Sequence, residues 1–430
     1  MVWFLSTVLV PLLLIGFLVF IHEFGHFIVA KWCGVGVVKF SVGFGPAIIR
    51  FTRGETIYQL SIIPLGGFVR MIGDMPDMIT GPQAGDELVR DEEALDEAAA
   101  QAGLSQTEAS PAVRAMLADR SRWFIEKRLS QRAAIVFAGP LFNLMLAIIL
   151  AFVAGWSFGV ESLDPAPRIG EVVEGSPAAY AGLKSGDLIV SIDAQPIENW
   201  STLTKLINFG TGKSVMMEID RAGQKQTLSV QPQIQESMTL TGKKFSVFRT
   251  GIGPSLVREE VGFLGAVEFG FLWTYDKAAA TLLGISGMFM GHASTSELAG
   301  PKFIFDQAAK HAKRGMESTI YFGAFLSVTL AVLNLLPIPI LDGGHLLFFL
   351  LEALLGPISI RKKEIAQGVG MVFLLMLMLV AIRNDFVRDY SKLEKGASFS
   401  PPAATTPDAN PPTGTPQTVT PAESPADTAK

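Results

Sequence analysis

The stretch FLVFIHEFGHFIVAKW, Phe17 to Trp32, places His22, Glu23 and His26 inside an apolar run long enough to cross a bilayer. A helix brings residues four apart onto one face, so the two imidazoles can converge on a single ion. Glu23 stands beside the first of them, placed to take a proton from a water at that ion. In a chain with five histidines, chance produces H-E-x-x-H on the order of once in several hundred such sequences. A capping cluster at a helix end, where His and Glu meet water, is the other plain explanation. Burial argues against both. Each ionisable group deep in a bilayer costs roughly 2.5–3.5 kcal/mol, and three within one turn call for a partner such as a metal.

The 430 residues are 49% hydrophobic and only 17% charged, with a mean hydropathy of +0.38. This composition points to several membrane spans joined to soluble parts. The net charge of −5 argues against nucleic acid as a partner. A single cysteine, Cys33, excludes an internal disulfide and a multi-cysteine zinc site. Any metal chemistry therefore rests on His, Glu and Asp. The first twenty-one residues carry no charged side chain, but they lack a basic n-region and a small-residue cleavage site. They read as a retained first span.

Outward from that span, residues 1–32 form the first transmembrane helix, with Pro11 near its start. Residues 33–74 alternate apolar and polar types around a turn at Arg53-Gly54, which predicts a small β-hairpin element beside the HExxH helix. Gly43, Gly45, Gly66 and Gly67 allow bends or close backbone approach there. Residues 75–132 turn polar, with an acidic run from Asp86 to Glu97 and an amphipathic helix expected from Pro111 to Leu129. Residues 133–158 form a second span containing AGPLFNLMLA, whose Gly139, Pro140 and Asn143 read as marks of helix packing. Residues 236–317 form a linker with helices at the membrane surface, because Glu268, Asp276 and Lys277 interrupt their apolar pattern. Residues 318–356 hold a third span that Pro337 and Pro339 must break, and 366–383 a fourth. The Pro/Thr-rich tail, 396–430, is expected to be disordered.

Between the second and third spans, residues 165–235 return to soluble character, as strand, short helix, strand, turn, helix and two further strands. The segment SPAAYAGLKSGDLIVSIDAQPI, Ser176 to Ile197, resembles a PDZ domain of the bacterial, protease-associated kind. That resemblance implies capture of a chain end or extended peptide by strand addition. It makes Arg168, Ile169 and Gly170 the expected ligand loop. Basic residues cluster after span one, before span two and between spans three and four. They put those three junctions in the cytoplasm, and the PDZ-like domain and both termini outside. Arg383, Arg388, Lys392 and Lys395 oppose this assignment, diluted by Asp385, Asp389 and Glu394.

A catalytic zinc takes three protein ligands and keeps one open position. His292 and His311 lie in polar stretches, which leaves Asp342 and His345, both at the broken third span, as candidates for the third ligand. His22-Glu23-x-x-His26 near the N-terminus, followed late in the chain by Asn334-x-x-Pro337-x-Pro339-x-Leu341-Asp342-Gly343, resembles the site-2 protease family. The long insertion between spans two and three is similar to its RseP-type bacterial members, with one PDZ domain where the best-studied ones have two. The resemblance implies zinc on His22, His26 and Asp342, with Glu23 as general base. It implies that Asn334, Pro337 and Pro339 hold the substrate backbone, and that the element ending in Gly66-Gly67-Phe68 re-enters the membrane and presents an edge strand.

The expected fold is thus a multi-span α-helical membrane protein with four transmembrane helices, a membrane-associated β-hairpin element and an inserted α+β PDZ domain. The expected function is zinc-dependent cleavage within the bacterial inner membrane, with the site toward the cytoplasm. The substrates implied are single-span membrane proteins such as an anti-sigma factor, already cut outside by a site-1-type protease, and leftover signal peptides. Membrane lipid is the surrounding partner. The competing readings are a membrane-anchored PDZ scaffold with an inactive metal site, a transporter, and a different membrane metallopeptidase. A transporter is disfavoured by the lack of repeated halves.

Overall fold

A computed structural model describes residues 5–73, 111–238, 244–291 and 298–387. The acidic run Asp86–Glu97, His292 and the tail at 396–430 lie outside the described residues. Among the described residues, four helices are long and apolar enough to cross a membrane: Thr7–Trp32, Leu129–Phe158, Met316–Asn334 and Ile360–Val387.

Helix α1 (Val10–Trp32) starts with Pro11 in its first turn, where a missing N–H costs nothing. Two long strands follow, β1 (Val37–Arg53) and β2 (Thr56–Met71). Their register goes beyond a plain hairpin. Phe40 pairs with Tyr58 on one side and with Val69 on the other, so β1 is central and β2 folds back to flank it twice. The second limb of β2 thereby becomes an outer edge. At the β1–β2 turn, Glu55 accepts from Lys31 at 2.6 Å and from both terminal nitrogens of Arg122 at 2.7 and 2.6 Å, tying the sheet to the end of α1.

The expected helix over 111–129 is shorter. Helix α2 (Pro111–Ala118) stops where the Asp119 side chain accepts from the Ser121 N–H. Its apolar side, Val113, Met116 and Leu117, packs with Val38, Ile57, Ile72 and Trp123 beneath the sheet. Helix α3 (Leu129–Phe158) is the centre of the bundle and packs against α1.

The insertion between α3 and the later helices begins with β3 (Val160–Leu163), β4 (Ile169–Val172) and the single turn α4 (Pro177–Tyr180). After these come β5 (Leu188–Ile192), β6 (Gln195–Pro196), helix α5 (Trp200–Asn208), β7 (Val215–Arg221) and β8 (Gln224–Val230). Strands β6-β5-β7-β8 form one sheet around a core of Ile169, Ile189, Leu203, Met217, Ile219 and Val230. The expected boundary at 235 falls short. Strands β9 (Gln233–Met238) and β10 (Lys244–Arg249) form a hairpin that returns the chain as β11 (Ile252–Pro254), which pairs antiparallel with β4. Ile252 packs on the same core. Strand β12 (Leu256–Glu259) then pairs with β3, so the two connections to the membrane part run side by side.

Residues 261–290, expected as helices at the membrane surface, form one helix, α6 (Phe263–Phe289), which packs against α3. Phe263 meets Phe152 and Trp156, and a Cβ on Gly270 would come within 2.8 Å of the Ile148 carbonyl. Glu268 and Asp276 are exposed, and Lys277 stacks over Trp273, so the charged positions do not interrupt the packed face. Helices α7 (Pro301–Arg314) and α8 (Met316–Asn334) follow, α8 packing on both α3 and α6. On α7, His311 is partly buried, its ring stacked on Phe322 at 4.5 Å.

As the prolines require, the third span is broken. Residues 335–341 form tight turns, and helix α9 (Asp342–Leu355) resumes after them. Helix α10 (Ile360–Val387) is held at its two ends. Lys363 and Arg132 both pair with Glu352 at one end. At the other, Asp385 accepts from the first N–H groups of α7, Gly300 at 2.9 Å and Lys302 at 3.0 Å.

Candidate metal centre

Helix α1 presents His22 and His26 one turn apart toward α3, their rings at 85° and their Nε2 atoms 3.2 Å apart. The break in the third span turns the start of α9 inward. Asp342 Oδ2 lies 3.1 Å from His22 Nε2 and 3.6 Å from His26 Nε2. Among the described residues these three form the one group of His, Cys, Asp or Glu close enough to share an ion. Of the two candidates that the sequence leaves open, Asp342 is the one grouped with the two histidines. His345 lines the neighbouring cavity without joining the three donors.

The spacing suits zinc. Four ligands at about 2.0–2.1 Å around Zn define a tetrahedron with edges of about 3.3–3.4 Å, and the three donor separations run from 3.1 to 3.6 Å. Asp342 Oδ2 is buried without a hydrogen-bond donor, an orphaned oxygen that a cation satisfies. His26 Nδ1 donates to the Ile135 carbonyl at 2.9 Å, which turns its Nε2 toward the cluster. Gly139 makes room for it: a Cβ there would lie 2.3 Å from His26 Nε2.

Glu23 lies between the donors and the sheet. It shares its cavity with Val69 of β2. A Cβ on Gly67 would sit 2.9 Å from Glu23 Cγ and 2.8 Å from the Ser41 carbonyl, so only glycine lets the strand approach this closely. Gly66 has φ +99° under the ring of Phe44, which stacks on Phe68 at 6.3 Å. His22, Glu23, His26 and Asp342 share one cavity of about 450 Å³ with Gly67, Phe68 and Val69 of the β2 edge. Phe348 and Phe349 of α9 and Lys363 of α10 line its other side.

The remaining expected residues scatter. Asn334 Nδ2 lies 3.2 Å from His22 Nε2, beside the donors. Pro337 is exposed and Pro339 packs against Gly370 of α10, and neither lines the cavity. In the insertion, Arg168, Ile169 and Gly170 do not form an open loop. Ile169 is fully buried, the Arg168 carbonyl accepts from the Ser255 N–H, and a Cβ on Gly170 would strike the Pro254 carbonyl. Strand β11 has taken that edge. The cleft of this domain, about 310 Å³, lies instead between α5 and residues 249–252, against Leu203, Thr204 and Ile207. Spacing could not find it, because β11 reaches β4 from some eighty residues downstream.

The structure places Asn143, read from sequence as a mark of helix packing, beside a histidine. It is wholly buried on α3, with its amide 3.3 Å from His22 Nδ1. The signal was present, since an amide inside a span is costly without a partner, but that partner is 121 positions away.

Residues 10–377 match the family described as Peptidase family M50. The chain is 33% identical over 427 residues to the regulator of sigma-W protease RasP of Bacillus subtilis, covering 90% of this chain and 99% of that one. It is 34% identical over 390 residues to a putative zinc metalloprotease of Mesorhizobium japonicum, covering 89% and 99%. A zinc metalloprotease RasP of Oceanobacillus iheyensis is 31% identical over 426 residues, covering 89% and 99%. With the helices long enough to span, the chain belongs to peptidase family M50, the site-2 proteases, and is an intramembrane zinc metalloprotease.

Proposed function

We propose that this protease cuts single-span membrane proteins whose helix has first been unwound against the outer limb of β2. One observation carries the reading: the outer limb of β2, the Glu23 carboxylate and three convergent metal donors face a single cavity. A helical substrate hides its peptide carbonyls in its own hydrogen bonds, and unwinding in lipid requires replacement partners. Residues 66–69 supply them as strand addition. The break at 335–341, kept open by Pro337 and Pro339, lets the start of α9 bring Asp342 to the two histidines.

His22, His26 and Asp342 hold the zinc, which when bound supplies a water ionising near neutral pH and Lewis acidity toward a carbonyl. Glu23 takes the proton of the attacking water and passes it to the leaving amine. Asn334 stands where its amide can hold the substrate carbonyl in line. Glu23→Gln is expected to keep zinc and to lower cleavage of a single-span substrate by at least about 100-fold. Near-normal turnover in that variant would sink the role.

The name of the B. subtilis relative attaches it to sigma-W, and an anti-sigma factor already trimmed outside the membrane is the substrate class we assign here, with leftover signal peptides second. The basic residues at three junctions favour a site near the cytoplasmic face of the inner membrane, with the insertion outside. The insertion's sequence likeness to a PDZ domain, and its cleft between α5 and residues 249–252, support a sensor for the end left by a first, site-1-type cut. Intact substrates are then refused until trimmed.

A further inference from the structure

The two histidine ligands are held from behind in unequal ways. His26 Nδ1 faces a backbone carbonyl, which can only accept, so its proton sits on Nδ1 and its Nε2 lone pair is free. At His22 the group behind Nδ1 is the Asn143 amide, drawn with its Nδ2 at 3.3 Å. In that pose two nitrogens meet, and Asn143 Oδ1 is buried with no hydrogen-bond partner. A histidine that gives Nε2 to a metal carries its proton on Nδ1 and needs an acceptor there. The two ends of an amide are nearly indistinguishable by shape and are assigned from their surroundings. Because Oδ1 is partnered by nothing, turning the Asn143 amide over breaks no hydrogen bond at its other end.

We infer that Asn143 is a positioning residue whose carbonyl oxygen accepts from His22 Nδ1–H, fixing the tautomer that aims Nε2 at the metal. The backbone is arranged to keep it there. The Asn143 main-chain carbonyl accepts from Ser327 Oγ of α8 at 2.8 Å, and both residues are completely buried. Each ligand imidazole is thus oriented from α3, His26 by the Ile135 carbonyl and His22 by the Asn143 amide two turns further on. The inference rests on the ligand set proposed above, and wild-type zinc binding tests that set separately.

The experiment measures zinc affinity of the purified full-length enzyme by competition with a chelator. Asn143→Asp keeps acceptor oxygens and loses the donor, while Asn143→Leu keeps the size and loses both. Asn143→Leu is expected to weaken zinc about 10–100-fold, with Asn143→Asp within about 3-fold of wild type. Equal losses in N143D and N143L would overturn the inference, because the site would then need the amide's donor. Wild-type affinity in N143L would overturn it as well. Should N143L not fold, nitrogen-15 spectra of the metal-free wild type decide alone: a proton on His22 Nδ1 supports the acceptor role, and one on Nε2 overturns it. A wild type that binds no zinc would instead overturn the ligand set.

Discussion

Two buried charged clusters in this molecule differ in one respect, and the difference separates chemistry from architecture. In the inserted domain, Asp187 is 1% exposed and fully answered. It accepts from Arg221 Nε and Nη2 at 2.7 Å each and from the Lys184 N–H at 2.8 Å. In the membrane bundle, His22, His26 and Asp342 point their donor atoms at one another's lone pairs and leave Asp342 Oδ2 orphaned. The first set is closed and holds β5 and β7 to the turn before them. The second is open and needs a cation from outside the chain. A closed set marks structure, since removing one member strands a buried charge. An open set marks function, since its unsatisfied atoms are what a ligand completes.

Mutation of the two clusters should therefore give opposite outcomes. The largest effect is expected from Asp342→Ala, with zinc affinity falling by more than the ~100-fold that loss of an outer partner costs and peptide cleavage lost with it. Chelator competition and a single-span substrate measure both, and retained zinc would break the comparison. Gly67→Val comes next. Its side chain must push against Glu23 and the Ser41 carbonyl, and a displacement of about 1 Å at the base costs about 100-fold in kcat. Zinc content should stay at wild type, which separates the strand's position from metal loading.

Asp187→Asn is expected to cost the inserted domain about 3 kcal/mol, read by denaturant unfolding, with zinc binding unchanged. The same pair carries an acid limb. Burial pushes the Asp187 carboxyl up, but the Arg221 guanidinium and the Lys184 N–H outweigh it and hold the group below its ordinary range. A carboxylate lowered on folding contributes stability above its unfolded pKa of about 3.9 and loses it as pH falls through the folded value. Unfolding of the domain followed below about pH 4 should show this loss in the wild type and a flatter profile in Asp187→Asn. The smallest effect is expected from Thr204→Arg, which fills the cleft beside α5. It should weaken capture of a peptide end and relax selection between trimmed and intact substrate, leaving cleavage of a trimmed one near wild type. Slower cleavage of the trimmed substrate would place the cleft in the catalytic path.

Much of the bundle was legible because lipid leaves few solutions. An apolar stretch of about twenty residues must be helical there. A proline pair inside one must interrupt it, and Pro337 and Pro339 do so at 335–341. The packing of 261–290 was not legible for a local reason: counting Glu268, Asp276 and Lys277 could not tell that none of them breaks the face packed on α3. The ligand loop was misplaced for a topological one. Strand order within a sheet is not written in the local pattern, and β11 covers β4 only after the β9–β10 hairpin has brought it back.

By itself the sequence determined the family and the chemistry's vocabulary. Catalytic metal sites demand particular residue types at short helical spacing, as in His22-Glu23-x-x-His26, and those survive as text. The tertiary structure decided what completes them. It brought Asp342 rather than His345 to the two imidazoles, set the second limb of β2 against Glu23, and put Asn143 behind His22. These are contacts across 44 to 320 positions, fixed by how helices pack and strands return, and no periodicity along a chain encodes them.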